Sequence, residues 1–198
     1  MNEIDWTIDT PDGSCGPWSI ETFEIDERAA SFSRVRAVVT GNRFEVVEAG
    51  TYRRLVHRTR GVVMSNTRME KSTNTGAWMA ARGHVLINGL GLGMLLGAIL
   101  RKPEVEFVRV IEIDPDVISL VGPTFAGREN VEIVQADALA YRPEKAERYT
   151  FAWHDIWDFT GPDMLPTMAA LKRKWARRVG EQKAWTEKLA RYHARRYA

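Results

Sequence analysis

Val85-Leu86-Ile87-Asn88-Gly89-Leu90-Gly91-Leu92-Gly93, answered further on by Val110-Ile111-Glu112-Ile113-Asp114, is the stretch that decides the fold class. An apolar run stops at a glycine-spaced turn, an apolar segment follows, and a second apolar run ends on a carboxylate. Parallel α/β sheets build nucleoside sites in this way. The glycines permit a sharp strand-to-helix turn and let a ligand approach the backbone. A carboxylate about twenty residues on can accept hydrogen bonds from both hydroxyls of a ribose. A nucleoside-containing ligand is therefore expected.

Reading outward, strands are expected over 85–88, 107–112, 131–135 and 149–154, with a helix over 93–101 that Pro103 stops. Pro115 suits the first turn of the next helix. Such alternation gives a doubly wound, mainly parallel Rossmann-like sheet with right-handed crossovers, whose ligands bind beyond the carboxyl ends of the strands. Gly89, Glu112, Asp137 and Asp155 each stand at such an end. Upstream, 1–30 holds turn signals (Pro11-Asp12-Gly13, Gly16-Pro17) with little periodicity. The β-prone runs 32–40, 43–49, 52–57 and 61–64 predict a small antiparallel sheet. Residues 65–82 read as a polar loop leading into a short helix near 77–81. Beyond Asp158 no further strand is expected. Leu171, Trp175, Val179, Gln182, Trp185, Leu189 and Tyr192 recur at helical spacing, with Gly180 between two helices. The chain thus divides into a β-hairpin subdomain (1–82), an α/β domain (83–160) and a basic helical tail (161–198).

The 198 residues, 44% hydrophobic, allow one good core, and the net charge of +2 gives no strong bias toward nucleic acid. Charge is nonetheless segregated, with an acidic head over 1–30 and a basic tail over 171–198. The two can pair with each other, or the tail can meet an anionic partner such as nucleic acid. Cys15 is the only cysteine, so neither an internal disulfide nor a thiolate metal cluster is expected. The acidic N-terminus does not read as a signal peptide, and the apolar window at 85–100 is too short to span a bilayer. A cytoplasmic, membrane-free protein without a metal site is the expectation.

A nicotinamide site would prefer Gly-x-Gly-x-x-Gly. The spacing Gly89-x-Gly91-x-Gly93 instead resembles motif I of the class I S-adenosylmethionine-dependent methyltransferases. The resemblance implies S-adenosylmethionine as cofactor, with Glu112 at the ribose position. Asp137, in Gln135-Ala136-Asp137-Ala138, would then take the adenine amino group. Asn88, Ile113 and Ala138 flank these positions and join the expected cofactor site. Within that fold, residues 50–160 are similar to the spermidine synthase branch. The likeness rests on the run from Val85 to Asp114, on Gly61-Val62-Val63-Met64-Ser65-Asn66-Thr67-Arg68-Met69-Glu70, and on Trp153-His154-Asp155-Ile156-Trp157-Asp158. Short methyltransferase-like proteins of bacteriophages look similar too.

The departures bear on function. Aminopropyltransferases place an Asp where this chain has Leu92, which can neither accept a hydrogen bond nor balance a cation. Met64 replaces that family's glutamine, and Lys71-Ser72-Thr73-Asn74-Thr75 replaces its polyamine-gripping segment. Methyl transfer is therefore expected, on an acceptor the sequence does not name. Asp155 is the expected catalytic carboxylate, with His154 turned to the other side of the strand. Glu70 could reach the same edge, and Trp153 and Trp157 could wall the pocket. The usual methyltransferase sheet has seven strands; this chain offers four or five, which makes a homodimer an option. The alternatives are an aminopropyltransferase acting on another amine and a non-catalytic cofactor-binding module serving a partner.

Overall fold

In a computed structural model, which describes residues 4–41 and 46–196, the chain forms two sheets joined through helices. The first is antiparallel and four-stranded, in the order β1 (Gly13–Cys15), β2 (Trp18–Ile25), β3 (Gly50–His57) and β4 (Gly61–Ser65). Between β2 and β3 lies helix α1 (Glu27–Thr40). Helix α2 (Arg68–Ala80) then leads to the second sheet.

That sheet contains β5 (Gly83–Asn88), β6 (Val105–Glu112), β7 (Val131–Gln135), β8 (Tyr149–His154) and β9 (Val179–Ala184), in the order β7-β6-β5-β8-β9. Every neighbouring pair is parallel. The chain moves outward from β5 through β6 to β7, then returns to the other side of β5 for β8 and β9. This is the doubly wound arrangement, and its topological switch point lies between β5 and β8. Helices α3 (Met94–Leu100), α4 (Pro115–Val121), α5 (Leu165–Trp175) and α6 (Glu187–Arg196) complete the chain. The central strands read as continuous apolar runs because both faces are covered: Val85, Leu86 and Ile87 are all buried. Alternate residues feed separate cores. Val85, Ile87, Phe151 and Trp153 pack with the first sheet and α3, whereas Leu86, Ala152, Leu171 and Trp175 pack on the other side.

The α/β fold and the antiparallel N-terminal sheet are as expected, but four local readings need correction. Residues 32–40 are helical, not a strand. Valines 35, 38 and 39 favour β structure, yet the Asp26 side chain caps the helix on Ala29 N and Gly41 ends it with φ 69°. The run 43–49 falls partly outside the described residues. Strands β1 and β2 occupy the weakly patterned 1–30 region, bounded by the turns at Pro11-Asp12-Gly13 and Gly16-Pro17. Helix α2 begins at Arg68, not near residue 77. Its core-facing positions include Glu70 and Asn74, and two polar residues there break the apolar periodicity that signals a helix.

The fourth correction is β9, where no strand is expected. Gly180 sits inside it rather than between helices, because a Cβ there would stand 3.0 Å from the Thr150 carbonyl oxygen on β8. As an edge strand, β9 tolerates the polar run Glu181-Gln182-Lys183. Helices α5 and α6 on either side of it are as expected. The acidic head does not meet the tail among the described ion pairs. Asp5 and Asp9 pair with Arg101, and Asp12 with Arg53, while in the tail Lys172 and Arg191 hold Glu187. No helix among the described residues is long and apolar enough to cross a membrane.

Candidate active site

A cavity of about 460 Å³ opens at the switch point, beyond the carboxyl ends of β5, β6 and β8. Its floor is the turn after β5. Gly89 has φ 100°, and a Cβ there would lie 1.9 Å from the Asp155 carbonyl oxygen. The glycine therefore lets the ends of β5 and β8 touch, an approach fixed by the bond from Asp155 N to Asn88 O (2.8 Å). Gly91 (φ 52°) lies under Met64, whose Sδ accepts weakly from Leu92 N at 3.4 Å. Gly93 also has a positive φ, of 72°. It caps α3 and packs on Val121 and Phe125, so its part is structural and it does not line the cavity.

Glu112, at the end of β6, is buried and holds two loops together. Its Oε2 accepts from Leu90 N (2.8 Å) and its Oε1 from Asp114 N (2.9 Å). A carboxylate has about four acceptor sites, so two remain for a diol. Asp137 Oδ1 accepts from Leu139 N (2.8 Å) in the turn after β7, and Asp137, Ala138 and Ile113 all line the cavity. Lys174 ties this turn to α5 through the carbonyls of Ala138 and Leu139.

Asn88 is a correction. Its side chain lies on the opposite face of the sheet, where Nδ2 donates to His154 Nδ1 (2.6 Å). The other imidazole nitrogen meets Gln182 Oε1 at 3.0 Å. Alternation along the strands causes this: Asn88 follows Leu86, and His154 follows Ala152, away from the cavity. Burial among these partners pulls His154 down to about 4, so the ring is neutral.

Asp155, one residue on, faces the cavity, as does Glu70 from the first turn of α2. Burial pushes Asp155 up to about 8, with the charge of Glu70 adding to the effect and the Trp153 indole N–H opposing it. Glu70 is driven to about 7, chiefly by burial, with the Thr73 hydroxyl opposing. Trp153 Nε1 is buried without a hydrogen-bond partner of normal geometry. Trp157 and Trp185 complete an indole wall, each N–H held by a threonine: Thr167 at 3.0 Å and Thr73 at 3.2 Å.

The first sheet supplies the remaining cover, which the sequence did not signal. Trp18 Nε1 donates to Asp114 Oδ2 (2.7 Å), the Arg60 guanidinium lies 4.7 Å from the centre of a Trp18 ring, and Arg60 pairs with Asp158 at 3.1 Å. Asn74 and Trp185 are further lining residues without a sequence motif. They arrive through α2 and β9, the two elements whose patterns are masked by polar residues. Leu92 is fully buried in the core and does not line the cavity.

No protein-family model and no curated protein sequence matches the chain. Among solved structures it is similar to the 23S rRNA methyltransferase ErmE, with a TM-score of 0.45 and 24% identity over 59% of this chain and 45% of that one. It is also similar to the N-methyltransferase NodS from Bradyrhizobium japonicum WM9 in complex with S-adenosyl-L-homocysteine (TM-score 0.44, 12% identity, 56% of each chain). A DhpI–SAM–HEP complex matches with a TM-score of 0.44 and 19% identity, over 58% of this chain and 54% of that one. The chain spans about half the length of these structures.

Proposed function

We propose that this chain is an S-adenosylmethionine-dependent methyltransferase of the spermidine synthase-like branch of the class I fold. The observation that carries the reading is the meeting of the Gly89-Leu90-Gly91 turn, Glu112, Asp137 and Asp155 on one cavity at the switch point. The donor set fits the cofactor: Glu112 keeps free lone pairs for ribose hydroxyls, and Asp137 has a second oxygen for an amino group. A bound cofactor would supply an electrophilic methyl on a cationic sulfur. The protein then has to align the acceptor, exclude water and receive a proton. Asp155, which lines the cavity, would receive that proton, a contribution worth about a hundredfold or more in rate. The indoles of Trp153, Trp157 and Trp185 keep the reacting end dry.

Transfer of an aminopropyl group is disfavoured. The position that would grip the free amine of the decarboxylated cofactor is Leu92, whose side chain is sealed in the core. Calorimetry with S-adenosylmethionine and S-adenosylhomocysteine tests the proposal, with Glu112→Ala and Asp137→Ala as controls. Micromolar binding that both variants lose supports it. A folded wild-type protein that binds neither ligand overturns it.

A further inference from the structure

The acceptor side of the cavity has its own hydrogen-bonding pattern. Glu70 is almost fully buried and, among the described residues, its carboxylate makes no ion pair. Asp155 lines the same cavity from the end of β8 and, among the described residues, makes no ion pair either. Two carboxyl groups in apolar surroundings resist ionising together, so near neutral pH the pair holds one proton and one negative charge. Beside them, the buried Trp153 indole N–H is near enough to Asp155 to oppose its upward shift but, among the described residues, makes no hydrogen bond of normal geometry, which leaves it open to an acceptor on a ligand. The site therefore presents a carboxyl pair, able to accept, and an incompletely used donor at the same wall. The neighbouring surfaces are the indoles of Trp153, Trp157 and Trp185.

We propose that Glu70 and Asp155 act as one dyad on the acceptor side, and that the acceptor they hold is an uncharged, flat N–H heterocycle. Such a ring donates its N–H to the dyad, accepts from Trp153 through a neighbouring ring nitrogen or carbonyl, and lies against the indoles. An ammonium offers donors only, so it cannot accept from the Trp153 N–H, and a polycation is balanced only with both carboxylates ionised. The proposal takes its reaction from the methyl-transfer reading. In it, the N–H proton passes to the ionised carboxyl of the dyad and the ring nitrogen bonds the methyl carbon. The S–C bond breaks with its electron pair left on sulfur, giving a neutral thioether.

Recognition can be tested without turnover. Indazole carries an N–H beside a ring nitrogen, while benzylamine has similar size but a single cationic ammonium, and putrescine is a dication. Calorimetry is run on the full chain with each probe, alone and with S-adenosylhomocysteine present. We expect indazole to bind at least tenfold tighter than benzylamine or putrescine, and Glu70→Gln and Trp153→Phe each to weaken indazole at least fivefold. Circular dichroism confirms that the variants are folded, and Glu70→Gln alone decides if Trp153→Phe does not fold. Tighter binding of either amine, or indazole affinity unchanged in Glu70→Gln, overturns the proposal and leaves the methyl-transfer reading standing if S-adenosylhomocysteine binds. Indazole binding lost in Glu70→Gln, together with no S-adenosylhomocysteine binding, keeps the acceptor site and removes the methyl-transfer reading.

Discussion

His154 and Asp155 are consecutive at the end of one strand, yet they sit in opposite chemical worlds. On the α5 side of the sheet the titratable groups are paired. His154 is held by Asn88 and Gln182, and Glu147 by Arg109, Tyr141 and Tyr149. Two neutral atoms there, Asn88 Oδ1 and Trp175 Nε1, lack partners. On the cavity side, among the described residues, Glu70 and Asp155 have no cation and Trp153 Nε1 makes no hydrogen bond of normal geometry. Among the described residues, the ionisable groups of one face are thus paired within the protein, and the two carboxyl groups of the other are left without a counter-ion at the cavity. The contrast depends on a seam, since the two sides meet where Gly89 touches the Asp155 backbone.

Breaking that seam should have the largest effect. A Cβ on Gly89 meets a carbonyl oxygen at 1.9 Å with φ at 100°, and backbone cannot yield as a side chain can. Gly89→Ala is expected to destabilise by about 4 kcal/mol or more, whereas Gly127→Ala, at φ 77° in open space, should cost about 1 kcal/mol. Urea titrations of the two variants measure the difference.

Next comes the closed face. His154→Ala strands the Asn88 amide and Gln182 inside the protein, and is expected to cost about 3 kcal/mol. The sign of the pH effect follows from a pKa lowered to about 4: the stabilisation is present above the unfolded value near 6.5 and is lost as pH falls through 4. The wild-type melting temperature should therefore drop on acidification, and His154→Ala should show less of that drop.

The open face should respond in the opposite sense. Asp155 and Glu70 titrate near 8 and 7, above their unfolded values, so their contribution is largest when protonated and is lost as pH rises through this range. At pH 9, Asp155→Asn should be more stable than the wild type by roughly 1–2 kcal/mol, and at pH 5 nearly equal to it. A variant equally destabilised at both values would show that Asp155 is held by partners, as His154 is.

How far the two faces could be read in the sequence also differs. The strands β5 to β8 were legible because burial on both faces leaves unbroken apolar runs, and the carboxylates at their ends followed by position. Asp155 and His154 were correctly assigned to different sides from alternation alone. Asn88 was assigned to the cofactor by its place beside Gly89, although the same alternation turns its side chain away. The open face was harder because its lining comes from elements with polar core positions. Glu70 and Asn74 hide α2, and Glu181-Gln182-Lys183 hides β9. Trp18 enters through long-range packing that leaves no local pattern. Polar residues at these positions break the apolar periodicities that report helices and strands.

The smallest effect is the most direct probe of the open face. S-adenosylmethionine carries a positive sulfonium, and S-adenosylhomocysteine a neutral thioether of nearly the same shape. If the reacting end of the cofactor lies beside Asp155 and Glu70, ionisation of the pair favours the cation. Raising pH from 6 to 9 should then improve binding of S-adenosylmethionine relative to S-adenosylhomocysteine by about three- to tenfold, or roughly 1 kcal/mol. Titration calorimetry of both ligands at the two pH values gives the ratio, in which changes common to adenine and ribose cancel. Asp155→Asn should flatten it, and Glu70→Gln should shift its midpoint to lower pH by removing the neighbouring charge. A ratio that is pH-independent in the wild type would place the sulfur away from the dyad, and the open face would then bind something other than the reacting end of the cofactor.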